Sequence, residues 1–189
     1  MGDTKTWLDH YYPVNGTCIR VDDKENYGKV RNQIVNLDIS NQNLEGDFQL
    51  GSSLPNLKKL NFSFNQITGM SWDTLLIMEE FDGSYNQLNQ SYTIHSSSIK
   101  TINISHNNIT AFDYYTPNLA YLDITSNLFT TLDLHSTPNL VELKCSNNSI
   151  SSLTLNQTSK LVLFDCFGAK LVSTSTSPTF TPSTSLSPT

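Results

Sequence analysis

The chain has 189 residues, 37% apolar and 15% charged, with 17 acidic residues against 11 Lys and Arg for a net charge of −6. That length can bury one sizeable core, and an acidic balance without a Lys/Arg run makes the chain a poor candidate for binding nucleic acid or an anionic membrane surface. Apolar runs stop at four residues, as in Leu75-Leu76-Ile77-Met78, so no stretch spans a bilayer.

The first segment, residues 1–33, opens on the polar run Gly2-Asp3-Thr4-Lys5, which is no signal peptide. The chain therefore reads as cytosolic, or as a mature or truncated part of an exported protein. Trp7, Tyr11, Tyr12, Pro13, Cys18 and Tyr27 make the segment aromatic-rich, which suits a cap over the open end of a repeat array. Asp22-Asp23-Lys24-Glu25-Asn26 is an acidic loop without the regular oxygen spacing of a calcium site, and it reads as solvated.

From residue 34 the chain repeats itself. Seven segments align without gaps, beginning at Ile34, Leu57, Met78, Ile99, Leu119, Leu140 and Leu161. Within each, apolar residues at the fourth and sixth positions alternate with polar ones, as in Leu60/Phe62, Ile102/Ile104 and Leu122/Ile124, which is the period of a half-buried strand. Strands are expected to centre on Leu37, Leu60, Phe81, Ile102, Leu122, Leu143 and Phe164. One such unit cannot bury its apolar edge, whereas stacked units share a continuous core. The ninth position holds Asn65, Asn86, Asn107, Asn127 and Asn148, whose amides can satisfy backbone groups where the chain leaves the strand. Gln42 and Ala169 occupy it in the end units, so the asparagine ladder is expected to fail there. Gly83 stands where an apolar side chain is normal, a gap for a large neighbour such as Trp72 or Phe62 to fill. The connecting halves read as short extended or turn-like pieces, with Pro55, Pro117 and Pro138 two residues ahead of a repeat start.

The globular part is expected to end near Val172. Residues 173–189 are 15 Ser, Thr or Pro out of 17, a composition that buries no core and reads as a disordered stalk or linker, with O-glycosylation as one use.

The seven units resemble the leucine-rich repeat, L-x-x-L-x-L-x-x-N/C-x-L. The resemblance covers about residues 34 to 171 and implies a right-handed α/β-type horseshoe solenoid with little helix. A parallel sheet would line its concave face, and short β or 3-10 segments its convex face. Asn15-Gly16-Thr17-Cys18, Val30, Leu37-Asp38-Ile39-Ser40 and Leu44-Glu45-Gly46 resemble the cap and first repeat of plant-type extracellular members. Those usually carry a cysteine pair in the cap, where this chain has Cys18 alone.

Cys145 and Cys166 both fall at the sixth position. They are expected as small buried hydrophobes with free thiols, a disulfide between them being the minor alternative. His10, His95, His106 and His135 are scattered, and neither they nor the cysteines have metal-ligand spacing. No catalytic motif, cofactor motif or phosphate loop is present. Ser84, His106 and Asp123 share a face, yet such sets are common on surfaces, so the chain is expected to be no enzyme.

Seven N-x-[ST] sequons lie at Asn15, Asn61, Asn89, Asn103, Asn108, Asn147 and Asn156. Asn15, Asn89 and Asn156 fall in cap or convex loops and are the better glycan sites. Asn61 and Asn103 would carry a glycan on the concave face. Register places Phe64, Tyr85 and His106 in one exposed row at the eighth position, with Tyr121 one unit further on. A row of exposed rings suits a ligand platform for a protein, peptide or glycan. Lys58 and Lys59 are expected to pair with Glu79 and Glu80 across strands. The chain is thus expected to be an extracellular or cell-surface recognition module. The alternatives are a glycan-shielded structural or surface-assembly protein, with self-association, and a cytoplasmic scaffold.

Overall fold

The computed structural model describes residues 2–50, 53–71, 76–154 and 160–168. The chain enters through a short strand, β1 (Gly2–Asp3), and one helix, α1 (Thr4–Tyr11), followed by a 3-10 turn at Arg31–Gln33. Strands then alternate between two faces of a solenoid. The main sheet takes β2 (Asn36–Asp38), β4 (Lys59–Asn61), β6 (Glu80–Asp82), β8 (Thr101–Asn103), β10 (Tyr121–Asp123), β12 (Glu142–Lys144) and β14 (Leu163–Asp165). The return segments supply β3 (Leu44–Phe48), β5 (Gln66–Met70), β7 (Tyr92–His95), β9 (Phe112–Tyr115), β11 (Thr131–Asp133) and β13 (Ser152–Thr154).

All seven main strands are parallel and pair in strict sequence order. Their register runs Leu37, Leu60, Phe81, Ile102, Leu122, Leu143, Phe164, the centres expected from the repeat. On the opposite side β1, β3 and β5 form one small parallel sheet, β7 and β9 a second, β11 and β13 a third. The core lies between these layers and is a single cluster from Leu8 in α1 to Leu161. The fourth and sixth positions point into it, as the alternation requires.

The asparagine column closes each turn. Asn107 is typical: its Nδ2 donates to the carbonyls of Gly83, Ile104 and Ser105, at 3.0, 3.1 and 3.1 Å, and its Oδ1 accepts the Leu88 N–H at 2.9 Å. Asn65, Asn86, Asn127 and Asn148 repeat this pattern against Leu44, Ile67, Ile109 and Phe129. One amide thus serves the sixth-position carbonyls of two successive units and an eleventh-position amide of the earlier one. In the first unit the Gln42 side chain turns back onto the Ser40 carbonyl at 2.9 Å and makes no such bridge. Ala169, like Trp72 and Asn156, lies outside the described residues.

Gly83 is filled by Phe62. A Cβ added to Gly83 would collide with the Phe62 ring, whose Cε1 and Cε2 would both lie at 3.0 Å. Phe62 packs in turn on Phe48 and Phe81, with ring centroids 5.5 and 5.1 Å away.

The N-terminal segment packs onto the first turns. Asp3 caps α1, accepting the Thr6 N–H at 2.9 Å, and the helix stops at Tyr11, just ahead of Pro13. Leu8, Tyr12 and Cys18 join the common core. Arg20 reaches the Asp38 carbonyl at 2.6 Å, and Asn26 the Asn36 carbonyl at 2.8 Å. The acidic loop is therefore a fold element: Asp22 pairs with Arg20, and Asp23 accepts from the Tyr12 hydroxyl and from Asn26. Cys18 is a buried free thiol, and burial pushes its pKa up.

The cysteine expectation needs correction. Cys145 and Cys166 form a disulfide across the last two units. Strict register of β12 on β14 sets their Cα atoms 4.4 Å apart, at the near limit of what a disulfide spans. Treating neighbouring inward positions as unsuited to bridging was too strict.

Two measurements check the fold. Asn107→Ala leaves the Leu88 N–H without its acceptor, while the Gly83, Ile104 and Ser105 carbonyls keep a second donor, and should lower stability in chemical denaturation by about 1–3 kcal/mol, the cost of one orphaned buried group. A change within error would show that the column is not structural. Protein produced in an oxidising compartment, denatured without reductant, should expose one reactive thiol, Cys18; three would contradict the disulfide.

Candidate binding surface

The first five main strands end in the same turn. The fifth-position side chain accepts the N–H two residues on: Asp38 from Ser40, Asn61 from Ser63, Asp82 from Ser84, Asn103 from Ser105 and Asp123 from Thr125, all at 2.9–3.1 Å. Ser63, Ser84 and Ser105 also donate their hydroxyls to the same oxygens, at 2.7, 2.7 and 2.8 Å. This Asx turn starts the chain out of the strand. It also accounts for the sequons at Asn61 and Asn103, where Asn alternates with Asp in a structural D/N-x-S/T motif. The Nδ2 groups of both contact the preceding aspartate, Asp38 at 3.5 Å and Asp82 at 3.3 Å. Asn15, Asn89, Asn108 and Asn147 are exposed, and Asn156 lies outside the described residues.

The next feature was not read from the sequence. Every eighth-position residue is left-handed: Asn41, Phe64, Tyr85, His106, Ser126 and Asn147 have φ of 53–55°, and Gly168 has 89°. The turn that aims the ninth-position amide inward requires it, and it swings the eighth side chain out into solvent. Gly and Asn adopt this conformation readily, whereas for most L-residues it costs about 1–2 kcal/mol. Phe64, Tyr85 and His106 are three rings in consecutive strained positions. They lie nearly parallel, Phe64 on Tyr85 at 4.4 Å and 9°, Tyr85 on His106 at 4.1 Å and 11°. Phe64 is 55% exposed and Tyr85 44%.

Tyr121 does not extend this row. It sits at the third position, within β10, where its hydroxyl donates to Asp123 at 3.3 Å and its ring lies 5.4 Å from the Lys144 ammonium. The unit after His106 presents Ser126 in the row instead. Tyr121 lines a different feature, a depression of about 540 Å³ floored by the first five main strands and walled by Asp23, Glu25 and Asn26. Ser84, His106 and Asp123 are not brought together either. The buried Ser84 hydroxyl is spent on Asp82, His106 stacks on Tyr85, and Asp123 accepts from Thr125 and Tyr121.

Cross-strand ion pairs flank the depression. Lys58 and Lys100 both reach Glu79 at 2.9 Å, and Lys59 reaches Glu80 at 2.7 Å, as the spacing of the repeats had led us to expect. The two ammonium hydrogen bonds, Lys58 first, hold the Glu79 pKa down at about 2. Of the other histidines, His10 packs edge-on against Tyr11, His95 is exposed in β7, and His135 lies 3.1 Å from Asp133. Among the described residues no three side chains converge as metal ligands, and no helix is long and apolar enough to cross a membrane.

The Leucine Rich Repeat family matches the chain over residues 56–76, the second unit and its return segment. No curated protein and no solved structure matches it. With the in-register sheet and the asparagine column, that match identifies the chain as a leucine-rich repeat protein. The match is to the repeat family at large and singles out no plant-type subgroup. A solenoid of this class is a protein-interaction module, typically a non-enzymatic scaffold.

Glu79 carries a pH prediction. A carboxylate held at about 2 when folded and at 4.5 when free contributes stability fully above pH 4.5, and loses it as pH falls through 2. Glu79→Gln should therefore flatten the dependence of stability on pH between 4.5 and 2, and identical slopes in acid titration would show that the double lysine bridge contributes nothing.

Proposed function

We propose that the protein is an extracellular or cell-surface recognition module that engages a protein partner on its concave face, with Phe64, Tyr85 and His106 as the anchor. The observation that carries this reading is the stack itself. The fold needs only a small or flexible residue at the eighth position, and Asn41, Ser126, Asn147 and Gly168 meet that need elsewhere in the row. Three adjacent rings instead accept backbone strain and keep apolar surface in water, a combination favoured where a partner will cover it. Tyr121 and Lys144, further along the sheet, would meet the same partner at its margin.

The location outside the cell is supported by the Cys145–Cys166 disulfide, since such bonds persist in oxidising compartments. Exposed sequons at Asn15, Asn89, Asn108 and Asn147 agree with it, as does the Ser/Thr/Pro composition of residues 173–189. We assign residues 1–33 to a cap, 34–172 to the solenoid and 173–189 to a stalk. Glycan at Asn61 or Asn103 would turn the reading toward a shielded, structural role. Their engaged amides favour an uncovered face.

A protein ligand selected from a displayed library against the native chain should bind Tyr85→Ala more weakly by about 2 kcal/mol or more, the scale of an aromatic hot spot. The folding stability of that variant should change by less than about 1 kcal/mol, because an exposed ring contributes little to the core. Selected ligands that bind the variant and the native chain equally would remove the ring row from the site.

A further inference from the structure

The four lysines on the main sheet are all engaged: Lys58 and Lys100 with Glu79, Lys59 with Glu80, and Lys144 with Glu142 at 3.1 Å. The fifth-position aspartates are not. Among the described residues, no cation lies within ion-pair range of Asp38, Asp82 or Asp123. Asp38 and Asp82 open into the depression together with Asp23 and Glu25, whose bonds run to neutral donors, Tyr12, Asn26 and Asn36. With the paired Lys59 and Glu80 included, five carboxylates face one ammonium, a net of −4 in about 540 Å³.

A second observation has the same sign. Asn26 stands in the wall of the depression and is 1% exposed. Its Nδ2 donates to Asp23 at 2.9 Å and to the Asn36 carbonyl at 2.8 Å, which fixes the orientation of the amide. Its Oδ1 is then a buried acceptor with no donor. Uncompensated carboxylates beside an unmet acceptor call for a ligand rich in N–H donors and positive charge.

We propose that this depression receives a basic segment of a protein partner, with lysine or arginine side chains seated at Asp38 and Asp82. The inference rests on the reading of this face as a protein-binding surface, and adds the chemistry of what binds. Asp38 and Asp82 sit on alternate strands, about 9.6 Å apart at ~4.8 Å per strand. Three residues of a polyproline-II chain advance about 9.3 Å and return to the same face, so basic residues at every third position match the aspartate spacing. The carboxylates are held ready, because the Asx turns fix their side chains before any ligand arrives.

The test uses the full chain and two peptides, (Lys-Pro-Pro)4 and (Glu-Pro-Pro)4, followed by calorimetry and amide chemical shifts at low salt. The lysine peptide should bind and move the amides of residues 38–40 and 82–84 and the Asn26 side chain, and the glutamate peptide should do neither. Asp38→Asn with Asp82→Asn should weaken lysine-peptide binding at least tenfold. That variant keeps the turns, since Asn61 and Asn103 make them already. Tyr85→Asn should leave lysine-peptide binding within twofold, so loss of the ring site and loss of the acidic site are distinguishable. Equal binding by the double aspartate variant, or shifts centred away from the depression, would overturn the proposal.

Discussion

The buried ninth-position amide is the interaction on which the rest depends. A parallel sheet joins neighbouring units only along the strands, and at the turn each unit would otherwise leave carbonyls and an amide without partners. The asparagine supplies both halves of that need, donating to the sixth-position carbonyls of two units and accepting from the eleventh-position N–H of the earlier one. The turn that carries that side chain inward holds the preceding residue in the left-handed region, as it does at Asn41 in the first unit, where Gln42 makes no bridge. The turn that the amide completes therefore sets where the eighth side chain stands, outside, in a row, one strand spacing from the next. The stacking of Phe64, Tyr85 and His106 at 4.1–4.4 Å follows from that spacing.

The exposed face is organised in columns for the same reason. Its fifth column alternates Asp and Asn through Asp38, Asn61, Asp82, Asn103 and Asp123, which keeps the Asx turn in the first five units and avoids carboxylates on adjacent strands. Its outer lysines are neutralised by glutamates, so the charge left over is negative and gathered near the N-terminal loop. Rings on one margin and carboxylates on the floor beside them make a surface with two chemistries, apolar and anionic, within the same few units.

Much of this was legible in the sequence because one unit recurs. The strand centres, the asparagine column and the inward fourth and sixth positions each appear several times over, so local ambiguity averages out. What failed to show has particular causes. The φ of Phe64, Tyr85 and His106 was hidden because rings are poor markers of the left-handed region, although Asn41, Asn147 and Gly168 in the same column carried the signal. Tyr121 was set in the ring row on proximity in the repeat, but third- and eighth-position side chains leave the turn at different places. The disulfide was masked by the expectation that inward positions on adjacent parallel strands are poorly oriented to bridge, although register brings the two Cα atoms to 4.4 Å. Helix α1 occurs once, without periodic support, and rests on the Asp3 cap. The sequons at Asn61 and Asn103 hid a second use of the same residues, as Asx-turn acceptors, which shows only when the fifth-position column is aligned.

Amide hydrogen exchange on the native protein tests the central claim most directly. The N–H groups of Leu44, Ile67, Leu88, Ile109 and Phe129 lie outside the main-sheet strands, yet each donates to an asparagine Oδ1. If the column holds the units together, these five should exchange in the slowest class, near the rate set by global unfolding. Exchange as fast as that of exposed loop amides such as Asn15 and Lys24 would contradict the account.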